Sequence, residues 1–403
     1  MASRREFLTT AAMGVAAKAV SATPGYVGHG SNTSDKKIRI GIVGGGFGCN
    51  FYWHEHPRCV VEAVTDLYPK RRKRLQEVYG CDNVYDSMEE MLQEKTNDLD
   101  AVAVFSGALD HVKHTRVCFE RGLHVIAAVP ACFTMEEAYE LKELKEKTGL
   151  RYMMAETSYY NTACIYAREL FQKGGFGELF YSEVEYYHDV YREDIINNPK
   201  SNYYHPDGSV SWRQGFPPMH YPTHALGYIV GVTGERIVRT SALGWGDPEE
   251  MAMFKANRYR NPFSNAGAWM QTDQGHIVRC NMFWHIAAGG ERANWFGEKG
   301  TFYMTREGIH RVIWDGRNSE PKEVTLPEYW NTGRLPPAMR HESGHGSSHT
   351  FLTAEFVNAL VEDREPAIDV YESLAMTVPG IVSHQSALRN GEQMEVPQFD
   401  PAT

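Results

Sequence analysis

A chain of 403 residues is long for one domain and ample for two, each able to bury its own core. With 42% hydrophobic and 23% charged residues it has the balance of a globular protein rather than a disordered one. The formal charge of −10 argues against a nucleic-acid partner, and no uninterrupted apolar run of about 20 residues exists to span a membrane.

At the N-terminus, Ser3-Arg4-Arg5-Glu6-Phe7-Leu8 leads into an Ala-rich, weakly apolar stretch, and Val20-Ser21-Ala22 offers a small-residue cleavage site. This is the form of a twin-arginine export signal, so a periplasmic or extracellular location is expected. With the Gly/Ser/Thr/Pro-rich linker after it, the signal is assigned to 1–34. Strands are expected at Ile38 to Val43, Val60 to Thr65, Ala101 to Phe105 and His124 to Ala127, separated by helical patterns. Short apolar runs in that arrangement indicate buried parallel strands with crossover helices. The basic run Lys70 to Arg74 reads as a solvated helix face, and Thr134-Met135-Glu136-Glu137 as a capping box opening a helix that ends at Gly149.

After about residue 157 the pattern lengthens. Glu183 to Tyr191, Ile237 to Leu243, Gly275 to Trp284 and Gly300 to Trp314 alternate with aromatics, which predicts one mainly antiparallel sheet. Phe351 to Leu360 has helical periodicity, and a further helix is expected before Gly391. The seven cysteines are odd in number and lack CxxC spacing, so neither a disulfide framework nor a zinc ribbon is expected.

The string Gly41-Ile42-Val43-Gly44-Gly45-Gly46-Phe47-Gly48-Cys49 follows the first strand and is expected to open a helix. Gly44 would permit the tight turn and Gly46 the approach of backbone to a pyrophosphate. The third small position of GxGxxG is Cys49, and Asp66 stands 22 residues beyond Gly44, where a carboxylate accepts from ribose hydroxyls. A Rossmann fold binding NAD, rather than NADP, is the expectation; Arg71 and Arg72 pull the other way.

At this point the chain resembles the Gfo/Idh/MocA family of sugar-active oxidoreductases over nearly all of 37–398. The resemblance rests on the glycine turn, "DLDAVAVFSGALDHVKHTRVCFERGLHV" with His111, "GEKGTFYM" and "AEFVNALVEDREPAIDVYESL". It implies an N-terminal Rossmann domain with a parallel sheet over 35–157. An α+β domain with an open, mainly antiparallel sheet would follow over 158–403. It also implies tightly held NAD contacting Gly44, Gly46, Phe47, Asp66, His111 and Pro130, a small carbohydrate or glycoside substrate, and a homo-oligomer formed through the C-terminal sheet. The family's usual Glu-Lys-Pro is replaced by Ala128-Val129-Pro130, so no ammonium is available there. A branch that also lacks this Lys, the NAD-dependent α-N-acetylgalactosaminidases, is similar in "YMMAETSYY" (Glu156), "EYYHD" (Tyr186, His188), "HYPTHALG" (Tyr221, His224) and "GHG" (His345).

Hydride removal from a sugar carbon needs a base on the hydroxyl of that carbon. Tyr221 and His224, three residues apart, could share one side of a helical turn, and an imidazole has a pKa near neutrality. Tyr186 or His188, on one face of a strand, could remove the proton beside the new ketone; Glu156 and His345 would help hold substrate. His220/His224 and His341/His345/His349 have zinc-compatible spacing, but no Asp or Glu completes a metal arrangement, and none is expected. The family implies an oxidoreductase acting on a sugar or glycoside hydroxyl. The alternatives are a redox-neutral NAD-dependent glycoside hydrolase, favoured by the missing Lys and by export away from free NAD, and a non-catalytic NAD- and sugar-binding protein.

Overall fold

The computed structural model describes residues 36–205, 207–246, 254, 257–314 and 319–401. The export signal and linker expected over 1–34 lie outside the described residues.

The first half is a six-stranded, wholly parallel sheet: β1 (Ile38–Val43), β2 (Cys59–Thr65), β3 (Val84–Tyr85), β4 (Ala101–Val104), β5 (His124–Ala127) and β6 (Tyr152–Met154). Their spatial order is β3-β2-β1-β4-β5-β6, which reverses direction between β1 and β4. In such sheets ligands bind in the crevice where the order reverses, at the carboxyl ends of the strands. Every residue of β4 is buried, because helices cover both faces. These include α1 (Pro69–Tyr79), α2 (Met88–Lys95), α3 (His111–Phe119) and α4 (Met135–Thr148). The capping box at Thr134 and Glu137 forms, and Gly149 closes α4 in the left-handed conformation, both as expected.

The helix expected after the glycine turn does not form. Only two three-residue 3-10 turns, Gly48–Asn50 and Trp53–Glu55, separate β1 from β2. Tyr52 sits at φ 56°, which interrupts any helix, and Phe51 and Trp53 are completely buried. Cover comes from the far end of the chain. The Thr353 hydroxyl donates to the Phe51 carbonyl and the rings of Trp53 and Phe356 meet edge to face at 6.3 Å.

In the second half, α5 (Thr162–Gln172) leads to β7 (Leu179–His188), then an excursion with the short α6 (Glu193–Ile196) and α7 (Thr223–Thr233). There follow β8 (Ile237–Trp245), β9 (Asn265–Thr272), β10 (Ile277–Phe283), β11 (Gly289–Gly297), β12 (Gly300–Tyr303), β13 (His310–Trp314) and β14 (Lys322–Val324). Helices α8 (Gly344–Val361) and α9 (Val370–Leu388) precede β15 (Met394–Glu395). The nine strands order as β14-β13-β12-β11-β7-β10-β9-β8-β15, with only the β7/β10 pair parallel. Sequence patterning missed β9 and β11, and the single strand expected over 300–314 is a hairpin of two. Ala, Gly, Asn and charged residues give β9 and β11 little strand preference; the partners on either side hold them. Helix α9 packs on α4 and β6, so the C-terminal helices tie the second half to the first.

Candidate active site

A cleft of about 1190 Å³ runs from the glycine turn to the inner face of the nine-stranded sheet. That exceeds the roughly 300–1,000 Å³ of ordinary small-ligand pockets. Its nucleotide end holds Gly44, Gly46, Phe47, Asp66 and His111, all foreseen from sequence. Gly44 adopts φ +101°, and a Cβ there would stand 2.2 Å from the Phe105 carbonyl oxygen, so the chain passes between β1 and β4 only without a side chain. Asp66, at the end of β2, accepts from Gly45 N–H and Tyr68 N–H, both at 2.7 Å, and keeps lone pairs for the cleft that it lines. A close-approach turn at the point where the strand order reverses, with a carboxylate at the next strand end, fits an NAD dinucleotide. The missing helix removes the dipole expected at the pyrophosphate and leaves the turn's own N–H groups. Pro130, expected to touch the cofactor, is buried beside the cleft instead; its carbonyl lies 2.8 Å from His111 Nδ1 and orients that ring.

The other end of the cleft brings together Tyr186, His188, Tyr221, His224 and His345. Ring centroids lie 5.3 Å apart for Tyr221 and His224 and 4.7 Å for Tyr186 and His224. The Tyr186 hydroxyl and His188 Nδ1 are 3.0 Å apart. Burial holds the His188 imidazole below its usual value, helped by Arg213, and raises both phenols.

Glu156, expected from the sequence to help hold substrate, does not line the cleft; it lies wholly buried behind His224. It caps the 3-10 turn Thr157–Tyr160 after β6, where its Oε1 accepts from Ser158 N–H and stands 2.8 Å from His224 Nδ1. The approach is possible because Gly227, one turn along α7, presents no side chain: a Cβ there would sit 3.2 Å from Ser158 Cβ and 3.3 Å from Glu156 Cγ. Burial alone would lower the His224 pKa, but the charge and hydrogen bond of Glu156 outweigh it, and the imidazole is held above its usual value. Burial likewise opposes ionisation of Glu156, and His224 overcomes it, so that carboxyl is depressed. The pair leaves His224 Nε2 to the cleft.

Glu291 escaped the sequence reading because β11 itself did. It pairs in register with Tyr186, and its Oε2 lies 2.6 Å from the Tyr228 hydroxyl and 3.0 Å from Ser158 Oγ. Burial raises this carboxyl despite the nearby His224. Glu291 and His345 both border a second, open groove of about 850 Å³, and His345 is common to groove and cleft.

Two other clusters have different roles. Ser182, His276 and Glu235 are linked at 2.9 and 3.1 Å in the connectivity of a hydrolase triad, yet Ser182 is completely buried and lines neither the cleft nor the groove. It is a structural network tying β7 to β10. The histidines with zinc-compatible spacing diverge: His220 packs on Phe133 and His384, and His341 pairs with Glu55.

Comparison with known proteins matches residues 38–156 to the oxidoreductase family Gfo/Idh/MocA, NAD-binding Rossmann fold, and residues 287–403 to the glycosyl hydrolase 109 C-terminal domain. A glycosyl hydrolase family 109 protein of Solibacter usitatus is 24% identical over 336 residues, 76% of this chain and 72% of its own length. An alpha-N-acetylgalactosaminidase of Bacteroides fragilis is 30% identical over 137 residues, covering 33% of this chain and 31% of its own. Among solved structures, levoglucosan dehydrogenase in complex with NADH and L-sorbose superposes with a TM-score of 0.73 at 16% identity, covering 90% of this chain and all of that one. An inositol dehydrogenase homologue from Azotobacter vinelandii, complexed with NADH and myo-inositol, gives 0.69 at 20% identity, with 89% and 98% covered. The chain thus joins the NAD-binding Rossmann domain of the Gfo/Idh/MocA oxidoreductases to the C-terminal domain of glycosyl hydrolase family 109.

Proposed function

We propose that this protein is a redox-neutral, NAD-dependent glycoside hydrolase rather than a net sugar dehydrogenase. The carrying observation is that the Glu156–His224 pair, with Tyr221 beside it, opens on the same cleft as the glycine turn and Asp66. The similarity to named glycosidases, and the absence of the family's usual Lys at Val129, favour hydrolysis over net oxidation.

Bound NAD supplies an acceptor for a hydride that is returned within the same cycle. His224, oriented through Nδ1 by Glu156, takes the proton of a secondary sugar hydroxyl at Nε2, with Tyr221 bonded to the same oxygen. The ketone so formed acidifies the neighbouring C–H. Tyr186 or His188 removes that proton, and the electron pair expels the anomeric substituent, which leaves with a proton as an alcohol. Water adds at the anomeric carbon, the proton returns to the neighbouring carbon, and the hydroxyl is restored. The net change is glycoside plus water to free sugar plus alcohol. Such a cycle needs no external oxidant, which suits a protein exported in folded form with its cofactor. A carboxylate at Asp66, where the ribose of a dinucleotide would lie, would repel a 2′-phosphate, so NAD is the proposed cofactor. The open face of the nine-stranded sheet is the proposed homo-oligomer surface.

The test is incubation of the purified protein with a panel of aryl glycosides in deuterated water without added cofactor. Released aglycone, with deuterium beside the oxidised carbon of the sugar, is expected. A keto-sugar accumulating with stoichiometric NADH would establish net oxidation instead, and neither product across the panel would leave a binding protein.

A further inference from the structure

Glu291 is a second carboxyl beside the Glu156–His224 pair, and the two acids meet at one residue. Ser158 gives its N–H to Glu156 Oε1 at 2.8 Å and its hydroxyl, shared with the His224 carbonyl, to Glu291 Oε2 at 3.0 Å. Tyr228 donates to the same Oε2 at 2.6 Å. His224 is already paired with Glu156, so a second negative charge here would have no counter-ion of its own. Arg306 borders the same groove, but its guanidinium is held by Glu185 at 2.7 Å. Burial keeps Glu291 above the usual carboxyl value, and the charge of Glu156 adds to it. Surroundings that push two neighbouring carboxyls in opposite directions leave one ionised and the other a neutral acid. With two donors on Oε2, the proton of that acid stands on Oε1, which has no protein partner among the described residues.

The strand pairing fixes where this acid lies. Glu291 is directly opposite Tyr186 on the antiparallel β11/β7 pair, so the two side chains share the inner face with Cβ atoms roughly 4.5–5.5 Å apart. Tyr186 lines the cleft and Glu291 borders the groove, so they flank the passage from one to the other. Gly289 and Gly290 precede Glu291 on β11 and also border the groove, and no side chain of theirs stands between the carboxyl and that space.

We infer that Glu291 is a further catalytic residue, the acid that protonates the departing alcohol, and that the groove receives that alcohol. This rests on the glycosidase reading. Once Tyr186 or His188 has taken the proton beside the ketone, the electron pair of that C–H bond forms a double bond to the anomeric carbon. The anomeric C–O bond breaks, its pair stays on oxygen, and that oxygen takes the proton of Glu291. When water adds at the anomeric carbon, the Glu291 carboxylate accepts the proton that the water loses, and the acid is restored. An alkoxide is too basic to leave without such a proton, whereas dinitrophenolate leaves unaided. The acid is therefore needed for alcohols such as a second sugar, which the polar groove lining of Thr305, His310 and Glu323 suits.

The test compares alkyl and dinitrophenyl glycosides of the same sugar. Glu291→Gln keeps an acceptor for Tyr228 and Ser158 but has no acidic proton. It should lower kcat/KM for the alkyl glycoside roughly 10²–10⁴-fold, and by at least about tenfold less for the dinitrophenyl one. Equal losses for the two, or none for the alkyl glycoside, overturn the inference. The unsubstituted protein supplies a second measurement. Its kcat/KM should fall with rising pH for the alkyl glycoside, as Glu291 loses its proton, without the same fall for the dinitrophenyl glycoside. Identical basic limbs for both substrates overturn the inference whether or not the variant folds. Cleavage of neither glycoside, nor of any other in an aryl panel, overturns the glycosidase reading and the inference together.

Discussion

The carboxylate of Glu156 lies fully enclosed 2.8 Å behind His224 Nδ1, although 68 residues separate the two in the chain. This pair sets the direction of the imidazole in the cleft, and its chemistry can be tested by charge as well as by truncation.

Glu156→Ala should lower kcat for a cleaved glycoside by roughly 10²–10⁴-fold, the usual worth of an oriented general base. Glu156→Gln keeps an acceptor for Nδ1–H while removing the charge, so it should retain more activity than Ala. Because the charge of Glu156 raises the His224 pKa, the acid limb of the kcat/KM profile should lie above the ordinary histidine value of about 6.5 and move down in Glu156→Gln. Coincident acid limbs for both proteins would dismiss His224 as the titrating base.

The same pair predicts a stability window. His224 is raised in the folded state, so its contribution is complete below about pH 6.5 and is lost as pH rises through the folded value. Glu156 is depressed, so its contribution is complete above about pH 4.3 and is lost as pH falls through its folded value. Urea denaturation should show the largest gap between the unsubstituted protein and Glu156→Gln between about pH 4.3 and 6.5, of about 3 kcal/mol for breaking a buried pair. A gap that does not vary with pH would contradict the ion pair.

At the nucleotide end, Asp66→Ala should weaken NAD retention about 10- to 100-fold, the loss of hydrogen bonds to a charged group. Tryptophan fluorescence titration of the stripped protein measures it, with thermal melting as a control for the Gly45 and Tyr68 contacts that Asp66 also makes. Affinity equal to that of the unsubstituted protein would remove Asp66 from the ribose site.

Gly44→Ala combines a φ of +101° with a 2.2 Å approach to the Phe105 carbonyl oxygen. A loss of about 3 kcal/mol is expected in chemical denaturation, together with loss of NAD binding. Gly46→Ala is the comparison: its nearest neighbour would be an Arg71 side-chain atom at 3.7 Å, so stability should change little. Equal effects at the two positions would show that the close pass between β1 and β4 does not govern the turn.

On the outer face of the nine-stranded sheet, Leu243, Trp245 and Trp269 are 66%, 56% and 57% exposed, an apolar patch that a monomer would leave in water. Trp269→Glu should reduce the mass measured by light scattering while leaving cofactor binding intact. A monomeric unsubstituted protein would end the proposal that this face joins subunits.

Local signals made the nucleotide-binding half legible. Short apolar runs, turn residues, a capping box and a glycine-rich turn followed by Asp66 each act within a few residues of themselves, so the sequence alone determined the parallel sheet and pointed to a dinucleotide site. It also picked out Tyr186, His188, Tyr221, His224 and His345, which the tertiary structure gathers in one cleft. What the sequence could not show was the partner behind each ring. Glu156 lies under His224 because Gly227 lets α7 close on the Thr157–Tyr160 turn, and His349 reaches Asn50 because α8 covers the place of an absent crossover helix. Those contacts join segments 68 and 299 residues apart, and no periodicity or spacing records them. Packing between distant elements decided which nitrogen of His224 the protein holds and which it leaves to the cleft.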